Sequence, residues 1–270
     1  MFLTGRVAIV TGASKEIGAA MAEALAREGA AVVVHYATDV EPAQQVAQHI
    51  REGGGRAIVF GADCSKVSDN YALVDAAVKA FGRLDIFVAN AGITRFGRLL
   101  DYSEESFETV IGLNFKGSYF GAQAAANQII GQPRLNADDH YGGRIVFSSS
   151  VAGVAGVIGL SAYGSTKAAI NFMAQVFAQE LGLHSITVNS LGIGSTVNSR
   201  NLRDDPLYAE HWAEVLPIHR ALTPEDSAAA LMYLVSPAAS GVTGATLMVD
   251  GGQYTQCRIP QAEVARSQNP

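Results

Sequence analysis

Short continuous apolar runs alternate along this chain with stretches whose apolar residues recur every three or four positions. RVAIVT at 6–11, AAVVVHY at 30–36, RAIVFG at 56–61 and LDIFVA at 84–89 are rich in β-branched residues. Each predicts a strand buried on both faces. Residues 16–28, 41–52 and 69–81 carry a helical period instead. In the first of these Ile17, Met21, Ala24 and Leu25 share one side, and Gly29 ends it. The alternation goes on with a long helical stretch over 103–130, a strand at 144–148, a helix at 161–183, a strand at 186–190, a helix at 224–234 and a last strand at 246–249. Apolar strands alternating with amphipathic helices predict parallel βαβ units with helices on both sheet faces. No linker interrupts them, so the expectation is one doubly wound α/β domain. Two segments break the rhythm. Residues 132–143 form a long polar connection. Residues 198–220 interleave charges with Leu202, Leu207, Trp212 and Leu216 and contain Pro206 and Pro217; a mobile helical flap over about 195–220 is expected. Residues 253–270 read as a surface tail, or one lying against a neighbouring subunit.

Composition narrows the setting. With 49% hydrophobic and 16% charged residues, the 270-residue chain has ample material for a core. Its net charge is −6 and its cations form no cluster, which argues against a nucleic-acid partner. No apolar run is long enough to span a bilayer, and Arg6 interrupts any leader-like segment. Cys64 and Cys257 sit in no C-x-x-C setting, which points to a reducing, cytoplasmic compartment. No metal site is expected. The histidines are scattered, and the consecutive Asp138, Asp139 and His140 are poorly disposed to converge on one ion.

Two segments carry candidate chemistry. The first, at 148–167, reads SSSVAGVAGVIGLSAYGSTK. On a helix, Tyr163 and Lys167 at i, i+4 share a face. An ammonium beside a phenol lowers the phenol pKa from its usual value of about 10, which suits a general acid or base. Such pairs also arise by chance on helix surfaces. The second segment is the turn after the first strand, Thr11-Gly12-Ala13-Ser14-Lys15-Glu16-Ile17-Gly18. Strand, glycine turn and helix N-terminus form an anion-binding arrangement. Gly12 permits the turn and Gly18 permits close packing. A plain structural turn is the alternative, because G-x-G-x-x-G is absent.

Taken jointly, the motifs resemble those of short-chain dehydrogenases/reductases, on the branch with 3-oxoacyl carrier-protein reductases and glucose dehydrogenases. The turn is similar to T-G-x-x-x-G-x-G, with Glu16 in place of the middle glycine. Asn90-Ala91-Gly92 matches N-A-G. Ser150 lies thirteen residues before Tyr163, and Tyr163-x-x-x-Lys167 matches Y-x-x-x-K. Asn189 and Gly194 match the ends of N-x-x-x-P-G, with Ile193 in place of the proline. Asp250-Gly251-Gly252 matches D-G-G.

The resemblance implies a single-domain Rossmann fold over 1–252 with a parallel sheet of about seven strands, and a homotetramer. A subunit contact is expected on the helix that bears Ile170, Phe172, Met173, Val176, Phe177 and Leu181. The implied activity is hydride transfer between a nicotinamide cofactor and a secondary alcohol or ketone: a sugar, polyol or 3-oxoacyl substrate. Tyr163 would be general acid/base, Ser150 would bind the reacting oxygen, Lys167 would tune Tyr163 and hold the ribose, and Asn114 would hold a water behind Lys167. The implied cofactor contacts are Gly12, Ser14, Lys15, Ile17 and Gly18; Tyr36 and Thr38; Asp63 and Cys64; Asn90, Ala91 and Gly92; Tyr163 and Lys167; and Ile193 and Thr196. With Tyr36 where NAD-preferring relatives have an acid, and Lys15 and Thr38 near by, NADP(H) is favoured over NAD(H), although Asp39 is close. Phe96, Trp212 and Leu216 are candidate walls of a substrate pocket. A non-catalytic dinucleotide sensor or scaffold, and an isomerase or dehydratase, are the competing readings.

Overall fold

The structure is a computed structural model and describes residues 1–135 and 141–256. Seven parallel strands form one sheet in the order β3-β2-β1-β4-β5-β6-β7. They are β1 (Val7–Val10), β2 (Ala31–Tyr36), β3 (Arg56–Gly61), β4 (Ile86–Ala89), β5 (Gly143–Ser150), β6 (Ile186–Ile193) and β7 (Thr246–Val249). The helices are α1 (Glu16–Arg27), α2 (Val40–Glu52), α3 (Val67–Phe81), α4 (Glu104–Val110), α5 (Ser118–Gly131), α6 (Ser161–Leu181), α7 (Ser199–Asp204), α8 (Tyr208–Val215) and α9 (Pro224–Val235). The strand period of two splits each run between two cores. Ala8 and Val10 of β1, with Val32 and Val34 of β2, face the core under α1, α2 and α9. Val7, Ile9, Ala31 and Val33 face the core under α3, α5 and α6.

Three expectations change in detail. The helical stretch at 103–130 is not one α-helix: a π-helical turn, Ile111–Gly117, separates α4 from α5. Strands β5 and β6 run past their apolar runs, because Ser148, Ser149 and Ser150 pair in register with Leu191, Gly192 and Ile193. On α6, Ile170 and Met173 belong to the domain's own core, and Phe177 and Leu181 pack against it. Phe172, 66% exposed, is the side chain of that set standing clear of the core. The sheet on which α6 lies takes up more of the helix circumference than a single amphipathic stripe would. Residues 138–140 and most of the tail, from 257 on, lie outside the described residues.

The strand order reverses between β1 and β4, with β2 and β3 to one side and β5 to β7 to the other. In open parallel sheets the crevice at such a switch point, beyond the strand C-termini, is where ligands bind. The turn after β1, the Asn90-Ala91-Gly92 segment after β4 and the serines ending β5 all meet there.

Candidate active site

At the turn after β1, the Thr11 hydroxyl donates to Val88 O at 3.2 Å and accepts the Asn90 and Ala91 amides, each at 2.9 Å. Gly12 has φ +63°, and a Cβ on Gly18 would lie 2.1 Å from Gly12 O. Gly92 is exposed, and a Cβ there would meet Asn114 Oδ1 at 3.2 Å and Lys167 Nζ at 3.6 Å. The missing side chains leave a cradle of bare backbone along one path, which fits a dinucleotide. His35, 1% exposed, braces the turn from behind. Gly12 N donates to its Nδ1 at 2.9 Å, so the Nε2 proton faces Ala62 O at 3.0 Å. Burial holds this imidazole below the usual histidine range. Cys64 Sγ lies 3.4 Å from Nε2. Burial, with Asp63 and Asp69 adding to it, pushes the Cys64 thiol up to about 12, so it contributes packing rather than a thiolate.

Glu16 occupies the left-handed region at φ +56°, a conformation that costs a side-chain-bearing residue about 1–2 kcal/mol. Its carboxylate accepts from the backbone N (2.7 Å) and the hydroxyl of Ser199, the first residue of α7. The residue that departs from the family pattern therefore ties the turn to the flap. Asp39 is also engaged, capping α2 through Glu41 N at 3.2 Å.

On the other wall, the Lys167 ammonium, 4% exposed, donates to Ser148 O at 2.6 Å and sits 5.5 Å from the Tyr163 ring centroid. Ser148 Oγ donates to Asn90 Oδ1 at 3.0 Å, and Ser149 Oγ to Lys167 O at 3.1 Å. Burial lowers the Lys167 pKa to about 8. For Tyr163 the direction differs from the expected one. Burial raises its pKa, while hydrogen bonds from Ser150 and Thr94 and the charge of Arg200 act the other way. Desolvation outweighs the hydrogen bonds and the Arg200 charge, and the group is a phenol at neutral pH. Asn114 lies in the π turn, fully buried; its amide exchanges hydrogen bonds with the backbone of Ile93 at 2.8 and 2.9 Å. A π turn widens the helix and re-aims its side chains, a frequent arrangement at functional sites.

Asn90, Gly92, Ser148, Ser149, Ser150, Tyr163 and Lys167 line a cleft of about 420 Å³. A family profile described as enoyl-(acyl carrier protein) reductase matches residues 12–254. The chain belongs to the short-chain dehydrogenase/reductase family. It is an NAD(P)-dependent oxidoreductase of that family. It is 36% identical, over 92% of its length and 94% of the relative's, to a probable tetrahydroxynaphthalene reductase of Zymoseptoria tritici. It is 37% identical, over 93% of its length and 97% of the relative's, to an L-rhamnose 1-dehydrogenase (NAD(P)(+)) of a Sphingomonas species. Among solved structures, a Burkholderia cenocepacia short-chain dehydrogenase in complex with NADP superposes with a TM-score of 0.84 at 34% identity, covering 94% of this chain and 99% of that one.

In this short-chain dehydrogenase/reductase the cleft brings together Ile17, Asn90, Gly92, Ser150, Tyr163, Lys167, Ile193 and Thr196. Asn114 stands directly behind them. Tyr36, Thr38 and Asp63 end or follow β2 and β3 and do not line this cleft; Asp63 is held by Ser65 and, at 3.6 Å, by Lys66. Ser14 is half-buried and Lys15 exposed on the turn. Phe96 and Trp212 line the cleft as expected, but Leu216 is 1% exposed and packs near Gly251 instead. The matching Asn189 and Asp250 serve structure: Asn189 bonds Val242 and Ala245, and Asp250 accepts the amides of Gly252 and Tyr254. Sequence reasoning missed Thr94, Arg200, Asn201, Tyr208 and Gln253, which also line the cleft. The signal for them was regional: they fall in residues 94–97, the flap near 198–216 and the tail, the stretches expected to decide the substrate.

Proposed function

We propose that this enzyme interconverts a secondary alcohol and its ketone with NADP(H), using Tyr163 as general acid and base. The observation that carries the reading is the Ser150–Tyr163 hydroxyl pair at the cleft wall, with the Lys167 ammonium beside the Tyr163 ring. When bound, the nicotinamide supplies or accepts the hydride. In reduction Tyr163, a phenol at neutral pH, gives its proton to the carbonyl oxygen. Ser150 donates to the same oxygen as negative charge grows there. Lys167, held near 8, returns a proton towards Tyr163, and Asn114 keeps the Asn90–Ile93 segment in place under the cleft.

Gly12, Gly18, Asn90 and Gly92 would hold the dinucleotide, with Ile193 and Thr196 on the flap side. The preference for NADP(H) is supported by Tyr36 at the end of β2, by an Asp39 already engaged in capping, and by the NADP-bound relative. A cyclic carbonyl compound suits the activities for which the relatives are named. The exposed Phe172 face of α6 supports a homotetramer, which light scattering after gel filtration would check.

A spectrophotometric screen of ketones, sugars and polyols with both nicotinamides is the direct test. Turnover of at least one compound, reduced by about 10³-fold in Tyr163→Phe, is expected. Nicotinamide binding without turnover across the screen would favour a sensor and overturn this reading.

A further inference from the structure

We infer that Arg200 forms a carboxylate-binding subsite in the cleft, so that the substrate is a carbonyl or hydroxy compound carrying a carboxylate on an apolar frame. The inference deepens the proposed activity and rests on it. The charged side chains lining the cleft are Lys167 and Arg200; the described lining contains no Asp or Glu, in a chain of net charge −6. Lys167 is spent at the base of the site on Ser148 O. Arg200 stands on the flap, and its charge is felt at both the Tyr163 and the Tyr208 hydroxyls. Exposed at the start of α7, it lines the cleft together with Thr94, Tyr163, Tyr208 and Trp212.

The acids at the end of α7 and of the turn it meets have other partners. Asp204 meets Arg203 at 3.5 Å, Asp205 meets His211 at 2.8 Å, and Glu16 accepts from Ser199. Arg200 itself makes a long contact, 3.4 Å, with the neutral Asn201 Oδ1. A planar guanidinium fork matches a carboxylate with two parallel hydrogen bonds, and it is strongest where water is partly excluded. Phe96, Val157, Leu160 and Trp212 give the cleft an apolar side, which suits a hydrocarbon or aromatic frame between the carbonyl and the acid.

The test uses matched pairs: 4-acetylbenzoate against its methyl ester, and levulinate against methyl levulinate, with NADPH. Turnover is followed by absorbance. Binding is followed by the emission of Trp212, the single tryptophan of the chain and a cleft residue. The wild type is expected to favour the acid of at least one pair. Arg200→Ala is expected to cut the acid-to-ester ratio of kcat/KM by about 10–100-fold, mainly through KM, with Arg200→Lys restoring part of it. NADPH affinity, read from its own fluorescence, should stay within about twofold.

Charge-blind binding by the wild type across both pairs, or a ratio unmoved by Arg200→Ala, would overturn the subsite. So would a weakened NADPH complex with an unchanged ratio, which would assign Arg200 to the cofactor phosphates. If no compound is turned over, the Trp212 titrations still give the acid-to-ester ratio. Loss of the redox reading and loss of the subsite therefore remain separate results.

Discussion

At the N-terminal edge of the sheet, Asp85 is fully buried and meets Arg83 at 2.8 Å and Arg6 at 3.4 Å, while Val7 N donates to it at 2.9 Å. At the C-terminal edge Lys167 is buried to a similar degree, yet its ammonium meets a carbonyl, and burial drags its pKa to about 8. One edge buries a carboxylate among its guanidinium partners and a backbone amide, which fixes the strands. The other buries a charge without a carboxylate, so that its proton is loosely held near neutral pH. A paired buried charge is weak evidence of function, whereas one tuned by desolvation beside a cleft is strong evidence.

The comparison breaks first if Asp85 proves dispensable. Asp85→Ala removes a fully buried carboxylate that Arg6, Arg83 and the Val7 amide share, and should cost about 3–5 kcal/mol of stability. Urea unfolding would show a lower midpoint at an unchanged slope, with kcat/KM at 25 °C little affected.

Lys167→Met should do the reverse, abolishing turnover while raising stability by about 1–3 kcal/mol, because it removes an uncompensated buried charge. The pH dependence identifies the cause. The native lysine titrates near 8 and the unfolded one near 10.5, so the native state favours the neutral amine. Above about pH 8 the unfolded chain alone holds the proton, and stability rises with pH until the unfolded lysine also loses it. Below pH 8 this contribution is flat. Melting curves from pH 7 to 10 should show the slope in the wild type and lose it in Lys167→Met.

Most of the frame behind both edges was legible in the chain. Buried parallel strands write themselves as continuous apolar runs, and β1 to β4 fall where those runs lie. The expected strands at 144–148 and 186–190 stop short of the ends of β5 and β6, because Ser149 and Ser150 lie beyond the apolar run and only their ladder to Gly192 and Ile193 shows the extension. The π turn was hidden because its single shift in hydrogen-bond register leaves the apolar period of 103–130 almost unchanged. Asn114, Ser150, Tyr163 and Lys167 were legible only jointly, by spacing. Thr94 and Arg200 carry no local pattern; their meaning comes from the fold that brings two loops and a flap to one cleft. His35 offered a fainter signal, a titratable residue inside an otherwise apolar strand.

That histidine gives a third case between the two edges, a titratable group kept neutral by burial. Gly12 N–H faces Nδ1, Ala62 O faces Nε2, and the un-ionised Cys64 thiol lies beside it, within the field of Asp63 and Asp69. A second ring proton would point at the Gly12 amide. The native pKa is lowered from 6.5. Its contribution is therefore fully present above pH 6.5 and lost as pH falls towards the native value, because the unfolded chain takes up the proton first. Wild-type stability should drop by roughly 1 kcal/mol for each pH unit over that window, and His35→Asn should flatten the drop. An equal drop in the variant would move the cause to the carboxylates.

The smallest expected effect tests Glu16, where an acid is neither ion-paired nor buried but bonded to the flap. Glu16→Gly relieves a left-handed conformation worth about 1 kcal/mol and gives up the bonds to Ser199, worth about the same for exposed partners. The two nearly cancel, so the global stability should shift by less than about 1 kcal/mol. The flap should not be so indifferent. None of the side chains of α7 and α8 is buried, so the tie at Ser199 carries much of what fixes that wall. Limited proteolysis within 199–215 should speed up several-fold in Glu16→Gly and much less in Glu16→Gln, which keeps an acceptor. Equal cleavage in both would mean that the flap is held by its own packing, and that Glu16 pays its conformational cost for some other partner on the turn.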